Sequence, residues 1–205
     1  MFRLTTQYKD SAVLIPQLHP DDSHERNEMM KNKIPAGSVL NVCITPDKLY
    51  SLAQMRDNHY LQFFDVSNDV GKWNDVDLNS VASLFCNFVA ESKLKSLLVD
   101  VLSPEKVKPR LLPPPTVGLA YDILGAGFPN VALVEMGPEY DCTKFKIIKP
   151  RLNFNDDMSL ILQHEFLGTF GDAEKLRSRL LRYFEKGINW DETKNYLFPG
   201  IAPPQ

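Results

Sequence analysis

The chain has 205 residues and a formal net charge of −3 at pH 7, with 43% hydrophobic and 24% charged residues. These are the values of a globular protein, so we expect a buried core in one ordinary domain or two small ones. The net charge is too small to indicate a nucleic-acid or membrane partner by itself. The 3 cysteines form no CxxC pair, which argues against a thiolate zinc site and a redox dithiol.

The distribution of apolar residues predicts an intracellular protein, cytoplasmic or nuclear, without a membrane partner. No apolar segment typical of a signal peptide follows the first three residues. The longest uncharged runs, residues 111–121 and 123–134, are separated by Asp122 and interrupted by prolines, so neither predicts a membrane-spanning helix. Widely spaced cysteines are also typical of a reducing compartment.

The first third of the chain predicts alternating strands and helices. Alternating and β-branched apolar residues predict strands over residues 12–15, 38–45 and 60–66. Asp21 or Asp22 is suited to cap a helix that ends near Lys33. A threonine followed by proline is a favourable helix start, so a second helix is expected over residues 45–58.

The strongest helical pattern lies in the middle of the chain. Apolar residues from Leu78 to Val101 recur at helical spacing. The spacing predicts one long helix over residues 77–102, or two helices with a break near Ser92. Because the apolar arc is wide, this helix is expected to lie centrally in the core.

A proline-rich segment follows at residues 103–115, where five prolines exclude a helix or a central strand and favour an extended polyproline conformation. The pattern then predicts strands over residues 131–136 and 144–148, with residues 159–166 open between strand and helix. Asp172 and Gly187 are suited to cap the two ends of a helix between them.

Together these elements predict an α+β fold, in which a mixed sheet packs against a long central helix and a C-terminal amphipathic helix. We expect a single domain over residues 1–205. An alternative organisation has two lobes, residues 1–102 and 116–194, joined by the proline-rich connector 103–115. Residues 195–205 contain three prolines and no periodicity, which predicts an extended tail.

A short run that starts at His19 concentrates imidazoles and carboxylates. The strand and the His-Pro-Asp-Asp sequence resemble the zinc-dependent N-acetylglucosaminyl deacetylases over four residues. The resemblance implies that His19 and Asp22 bind zinc and that Asp21 is the general base, with a further ligand from His164 or His59. The alternative is that the proline and the acids begin a helix, in which case no metal or other cofactor is expected.

The helix predicted over residues 172–187 has a basic face. Lys175, Arg179, Arg182 and Lys186 are spaced 4, 3 and 4 residues apart and therefore share one side of the helix. Such a face is most often solvated, and it can also contact phosphates. A nucleic-acid-associated protein is thus an alternative function, although nucleic acid is not the favoured partner.

The proline-rich segment is a candidate docking element. Arg110, two leucines and the prolines that include Pro113 and Pro114 resemble the first part of a class I SH3 ligand, with Thr116 in place of its last proline. A preformed extended segment loses little conformational entropy on binding. The alternative is a stiff connector between two packed halves.

The C-terminal tail is a second candidate docking element, because Tyr196, Leu197, Phe198 and Ile201 make it apolar. No complete catalytic motif accompanies these segments. The sequence therefore favours a non-enzymatic structural or interaction subunit of a larger intracellular or viral assembly, with other protein subunits as its partners. The zinc-dependent hydrolase and the nucleic-acid-associated protein remain the alternatives.

Overall fold

A computed structural model describes residues 33–121, 130–141 and 143–203. The strands in this part of the chain are β1 (Val39–Thr45), β2 (Leu49–Met55), β3 (Tyr60–Asn68), β4 (Val76–Asp77), β5 (Ser83–Val89), β6 (Leu98–Leu102), β7 (Val107–Lys108), β8 (Val117–Tyr121), β9 (Val131–Met136), β10 (Phe145–Lys149) and β11 (Thr169–Phe170). The α-helices there are α1 (Met158–Gln163), α2 (Ala173–Lys186) and α3 (Thr193–Leu197), and short 3-10 helices lie at Asp57–His59 and Glu91–Lys93. The strand and helix predicted over residues 12–15 and 21–33 fall almost wholly outside the described residues.

Sheets dominate the architecture. Six strands form one sheet in the order β11-β5-β3-β2-β1-β6, and its neighbours are antiparallel except for the short β11, which is parallel to β5. A second sheet has the antiparallel order β10-β9-β8, and β4 pairs with β7 in a small parallel sheet. The protein is therefore mostly β.

The predicted α+β fold with a long central helix is wrong. Residues 77–102 contain β5, a 3-10 turn and β6 instead of a helix. The reason is that both faces of β5 are covered: Phe85 and Val89 pack into one cluster, and Cys86 and Phe88 pack into another. A strand that is buried on both faces is apolar at neighbouring positions, and such a run also satisfies helical spacing.

The helix predicted over residues 45–58 is also wrong. The amide of Lys48 donates to the carbonyl of Thr45, and Asp47 has a φ of 54°, so the chain turns back at once and continues as β2. A proline at the second position followed by a positive φ at the third is typical of a tight turn. The fixed φ of Pro46 therefore suits a turn as well as it suits the first residue of a helix.

Several elements agree with the sequence patterns. β1, β3, β9 and β10 confirm the strands predicted at those positions, with small shifts at their ends. α2 confirms the C-terminal amphipathic helix. The side chain of Asp172 accepts hydrogen bonds from the amides of Glu174 and Lys175, and Gly187 ends the helix with a φ of 72°.

The core lies on both sides of the six-stranded sheet. α2 covers one face, where Leu176 and Leu180 pack against residues that include Leu40 and Phe63. The three-stranded sheet packs over part of the other face, with Val134 among the contacting residues. The outer face of that second sheet is covered in turn by α1 and by the C-terminal segment.

The two halves of the chain share the main sheet, because β11 pairs with β5. The division into lobes 1–102 and 116–194 stays a prediction. The segment predicted as an extended tail differs from that expectation where it is described, since residues 193–197 form α3. Leu197, Phe198 and Ile201 are buried in the cluster beneath α1. No helix within the described residues is both long and apolar enough to cross a membrane.

Candidate functional site

The proline-rich residues 109–115, which we name the strap, lie against polar side chains near the end of β2 and the start of β3, two central strands of the main sheet. Gln54 binds both main-chain polar groups of Arg110: its Oε1 accepts from the amide at 2.8 Å, and its Nε2 donates to the carbonyl at 3.3 Å. Gln54 is itself only 2% exposed. A buried side-chain amide that pairs with the main chain in this way fixes the position of an extended segment. Its hydrogen bonds do not involve the side chains of that segment.

Arg56 strengthens this contact. Its Nη1 donates to the carbonyl of Arg110 at 2.9 Å, and its Nη2 donates to the carbonyl of Leu112 at 3.1 Å. Nε and Nη2 also donate to Oε1 of Gln62, which holds the guanidinium flat against β3. Burial lowers the pKa of Arg56, and charge-assisted hydrogen bonds of this kind are stronger than neutral ones.

Asn79 and Tyr60 bind the strap from its other side and at its far end. Asn79 donates to the carbonyl of Pro109 at 3.1 Å and accepts from the amide of Leu111 at 2.9 Å. The hydroxyl of Tyr60 donates to the carbonyl of Pro115 at 3.3 Å. The strap is thus bound along its length by side chains from other parts of the chain.

The predicted docking residues of the strap have different environments. The Nη1 atom of Arg110 donates to the carbonyls of Leu78 and Val81 at 3.2 and 2.9 Å, so its guanidinium is occupied within the molecule. Pro114 is buried, whereas Pro113 is exposed. The SH3-ligand interpretation needs an accessible basic residue at this position, and the structure holds Arg110 in internal contacts.

Two other residues of the strap point into solvent. Leu111 is 80% exposed and Leu112 is 55% exposed, although the main chain around them is bound by Gln54, Arg56 and Asn79. Two adjacent exposed leucines form a small apolar patch, and contiguous apolar patches on a surface can mark interaction sites. The exposed apolar surface of the strap thus consists of the two leucines between the predicted residues Arg110 and Pro113.

The predicted docking residues of the tail are mostly core residues. Leu197 is 2% exposed, Phe198 is 5% exposed and Ile201 is 7% exposed. Tyr196 differs, because it is 66% exposed and lies at a cleft beside α2. Three of these four side chains therefore contribute to packing within the chain.

The predicted basic face of α2 is divided by the fold. Arg179 is buried and donates to Oε1 of Glu165 at 2.8 Å. Arg182 pairs with Glu192 at 3.1 Å and donates to the carbonyl of Trp190. Only Lys175 and Lys186 of the four are exposed. A phosphate-binding stripe needs neighbouring accessible cations, so this arrangement gives little support to nucleic-acid contact along the helix.

The proposed zinc ligands are largely outside the described residues, which do not include His19, Asp21 or Asp22. His164 follows α1 directly and is half-buried. His59 pairs with Glu91, with 2.6 Å between Nδ1 and Oε1. Within the described part of the chain, no group of three or more His, Cys, Asp or Glu side chains could hold a metal ion.

Cys86, which lies near the residues that bind the strap, is not suited to act as a reactive cysteine. Cys86 lies on the sheet face beneath Tyr60, and burial raises the pKa of its thiol to about 12. A thiol with so high a pKa stays protonated at neutral pH, and the thiolate is the reactive form. Cys86 is therefore a packing residue in this position.

The burial of His164 predicts a pH effect. Burial lowers its pKa from the ordinary 6.5, a hydrogen bond with the main chain of Val117 partly opposes this, and Lys194 adds a smaller lowering. As pH falls through 6.5, the unfolded chain takes up a proton before the folded one, so folding stability is lost from there down to the folded pKa. His164→Gln should therefore lose less stability than the wild type between about pH 7.5 and 5.5, measured by urea unfolding.

His59→Gln is the control for this experiment, because its side chain is 45% exposed and it removes an imidazole elsewhere. Both variants are compared with the wild type over the same pH range, so that a general effect of removing an imidazole is separated from the effect of this position. An unchanged pH dependence in His164→Gln would show that desolvation at this position contributes nothing measurable.

The residues that bind the strap carry no signal in the sequence. Gln54 and Arg56 lie in the segment that predicts a helix, and each binds a main chain more than 50 residues away. Asn79 lies in a turn and shows no motif. Isolated polar residues in strands are common, and only the folded sheet shows that these converge.

These features define a mostly β protein that binds a proline-rich segment of its own chain against two central strands of its main sheet. The chain belongs to the DUF8309 family: the family model, described as a domain of unknown function, matches residues 30–203. No curated protein and no solved structure shows a significant match.

Proposed function

We propose that the protein is an interaction subunit that docks on another protein through the strap. The observation that carries this proposal is the contrast between a firmly bound main chain and outward-facing leucines. Leu111 and Leu112 are 80% and 55% exposed, and at least three side chains fix the backbone between residues 110 and 112. Binding through such an element costs little conformational entropy, because the segment is already ordered.

The chemistry of the surface indicates the kind of partner. Two adjacent leucines fit an apolar pocket on a partner protein, and buried apolar anchors of this kind dominate interface energies. The internal engagement of Arg110 leaves the apolar side chains as the main recognition groups. The partner is therefore expected to present an apolar pocket and no cluster of acidic residues for Arg110.

The test is a double substitution, Leu111→Glu with Leu112→Glu, in the full chain. Charges at these positions should weaken partner binding by about tenfold or more, because the loss of an interface anchor costs about 2 kcal/mol. Association is measured by quantitative mass spectrometry of complexes purified from the native source. The thermal unfolding midpoint should stay near that of the wild type, because both side chains face solvent.

Val70→Glu is the matched control, since Val70 is an apolar residue with 61% exposure at a distant turn. It should leave the recovered partners unchanged. If the leucine double variant retains the same partners at wild-type levels, the strap is not the docking element. Equal losses in the control would likewise contradict the proposal.

A further inference from the structure

A cleft of about 400 Å³ lies between α2 and residues 190–196. This volume is in the range of small-molecule sites. The cleft is separate from the strap and shares no lining residue with it. We propose that it binds a small anion, a carboxylate or a phosphate, that is joined to a flat apolar group.

Cationic side chains supply the anion-binding part of the cleft. Lys175 lies at its rim and forms no ion pair with another described residue. Arg182 lines it as well, and Arg179 lies deeper, with only 2% of the residue exposed. Asp191 and Glu192 also line the cleft, so its five charged lining residues give a net charge of +1. Glu165, which pairs with Arg179 at 2.8 Å behind the lining, balances that charge.

Two guanidinium donors at the cleft are unpaired. The Nη1 atom of Arg179 and the Nε atom of Arg182 are buried and have no hydrogen-bond partner among the described residues. Buried polar groups are normally satisfied, so such donors can be completed by an oxygen acceptor from water or from a bound ligand. An anion over the guanidinium groups provides oxygen acceptors, and water between the anion and the deeper atoms extends the network.

The two carboxylates are partly occupied by other contacts. Oε1 of Glu192 pairs with Nη1 of Arg182 at 3.1 Å, and Oδ1 of Asp191 accepts from the amide of Thr193 at 2.9 Å. Oδ2 of Asp191 is an unpaired acceptor at the same cleft. A phosphate monoester can carry a proton near neutral pH and can donate it to such a carboxylate, whereas a carboxylate ligand cannot.

Aromatic side chains supply the apolar part of the cleft. Phe170, Trp190 and Tyr196 line it. One side of the Trp190 ring faces the ammonium group of Lys194 at 5.6 Å. Tyr196 is largely exposed at the mouth of the cleft, where a flat group can pack against its ring. A ring and an anion together therefore match the lining better than either does alone.

The test uses calorimetric titration of the full chain with four probes: phenyl phosphate, benzoate, inorganic phosphate and phenol. At least one of the two aryl anions should bind about tenfold more tightly than both inorganic phosphate and phenol. Preference for phenyl phosphate indicates a phosphate ligand, and preference for benzoate indicates a carboxylate ligand. Absence of aryl-anion binding up to about 10 mM, or equal binding of phenol, overturns the proposal.

Substitutions then locate the site. Lys175→Met and Tyr196→Ala should each weaken binding of the preferred aryl anion by about threefold or more, because each removes one exposed ionic or aromatic contact with the ligand. Lys186→Met is the matched control, because Lys186 lies on the same helix but does not line the cleft. If Lys186→Met weakens binding as much as Lys175→Met, the binding is non-specific attraction to the helix and the proposal fails.

Discussion

Replacing Arg179 with methionine is expected to lower the free energy of unfolding by about 3 kcal/mol, the lower end of the range for a buried ion pair, because Arg179 is buried and its partner Glu165 is 24% exposed. The Arg179 side chain is 2% exposed and pairs with Glu165 at 2.8 Å. Its guanidinium also donates to Asn189 and lies 3.7 Å from the centroid of the Phe85 ring. The substitution leaves Glu165 and Asn189 without their donor, and equilibrium urea unfolding measures the loss.

Arg177→Met is the matched control on the same helix. Arg177 is 29% exposed and contacts Glu174, which is 72% exposed, at 3.5 Å. Its loss should cost less than about 1 kcal/mol, as for most surface ion pairs. In combination with Glu165→Gln, the cost of Arg179→Met should fall, because no unpaired carboxylate remains. Equal effects of Arg177→Met and Arg179→Met would contradict a structural role for the buried pair.

Replacing Leu197 with alanine should cost about 2–5 kcal/mol, the range for large-to-small changes in a core. Leu197 is 2% exposed and belongs to the cluster that includes Leu119, Trp190 and Phe198. Removal of its side chain leaves a cavity between α3 and the three-stranded sheet. Urea unfolding measures the change, and a truncation after Asn195 should abolish the cooperative transition because it removes Phe198 and Ile201 as well.

Leu162→Ala makes the same chemical change at a residue that is 40% exposed, and it should cost clearly less. The comparison also separates two roles of the C-terminal segment. If Leu197→Ala keeps wild-type stability and loses a partner instead, the segment is a docking element, as its sequence suggested. The burial of Leu197, Phe198 and Ile201 predicts the opposite result.

Local signals in the sequence were sufficient for α2. Asp172 and Gly187 mark its two ends. The cap hydrogen bonds and the left-handed φ depend only on a few neighbouring residues, so the sequence alone predicts where the helix begins and ends. Residues 77–102 show the limit of such signals. Phe85 and Phe88 lie three residues apart, which fits one helical face and also fits opposite faces of a strand. The coverage of both faces, by α2 and by the three-stranded sheet, is a tertiary property.

For the candidate sites, local sequence signals show even less, because the contacts that define these sites come from distant segments. The basic spacing on α2 was visible, but the burial of Arg179 depends on Glu165 and Asn189 from other segments. The strap was recognised as extended from its prolines. Its outward leucines could not be distinguished from core leucines, because the residues that fix its main chain, Gln54 and Arg56, are distant in sequence.

The strap is bound almost entirely through its main-chain amides and carbonyls, by Gln54, Arg56, Asn79 and Tyr60. Such hydrogen bonds do not depend on which side chains stand at positions 111 and 112. Substitutions there therefore carry little penalty in folding, so the side chains at these two positions are set by what they contact outside the chain and not by the fold. In a docking element of the proposed kind, single substitutions at positions 111 and 112 change the apolar surface offered to a partner while the architecture stays the same.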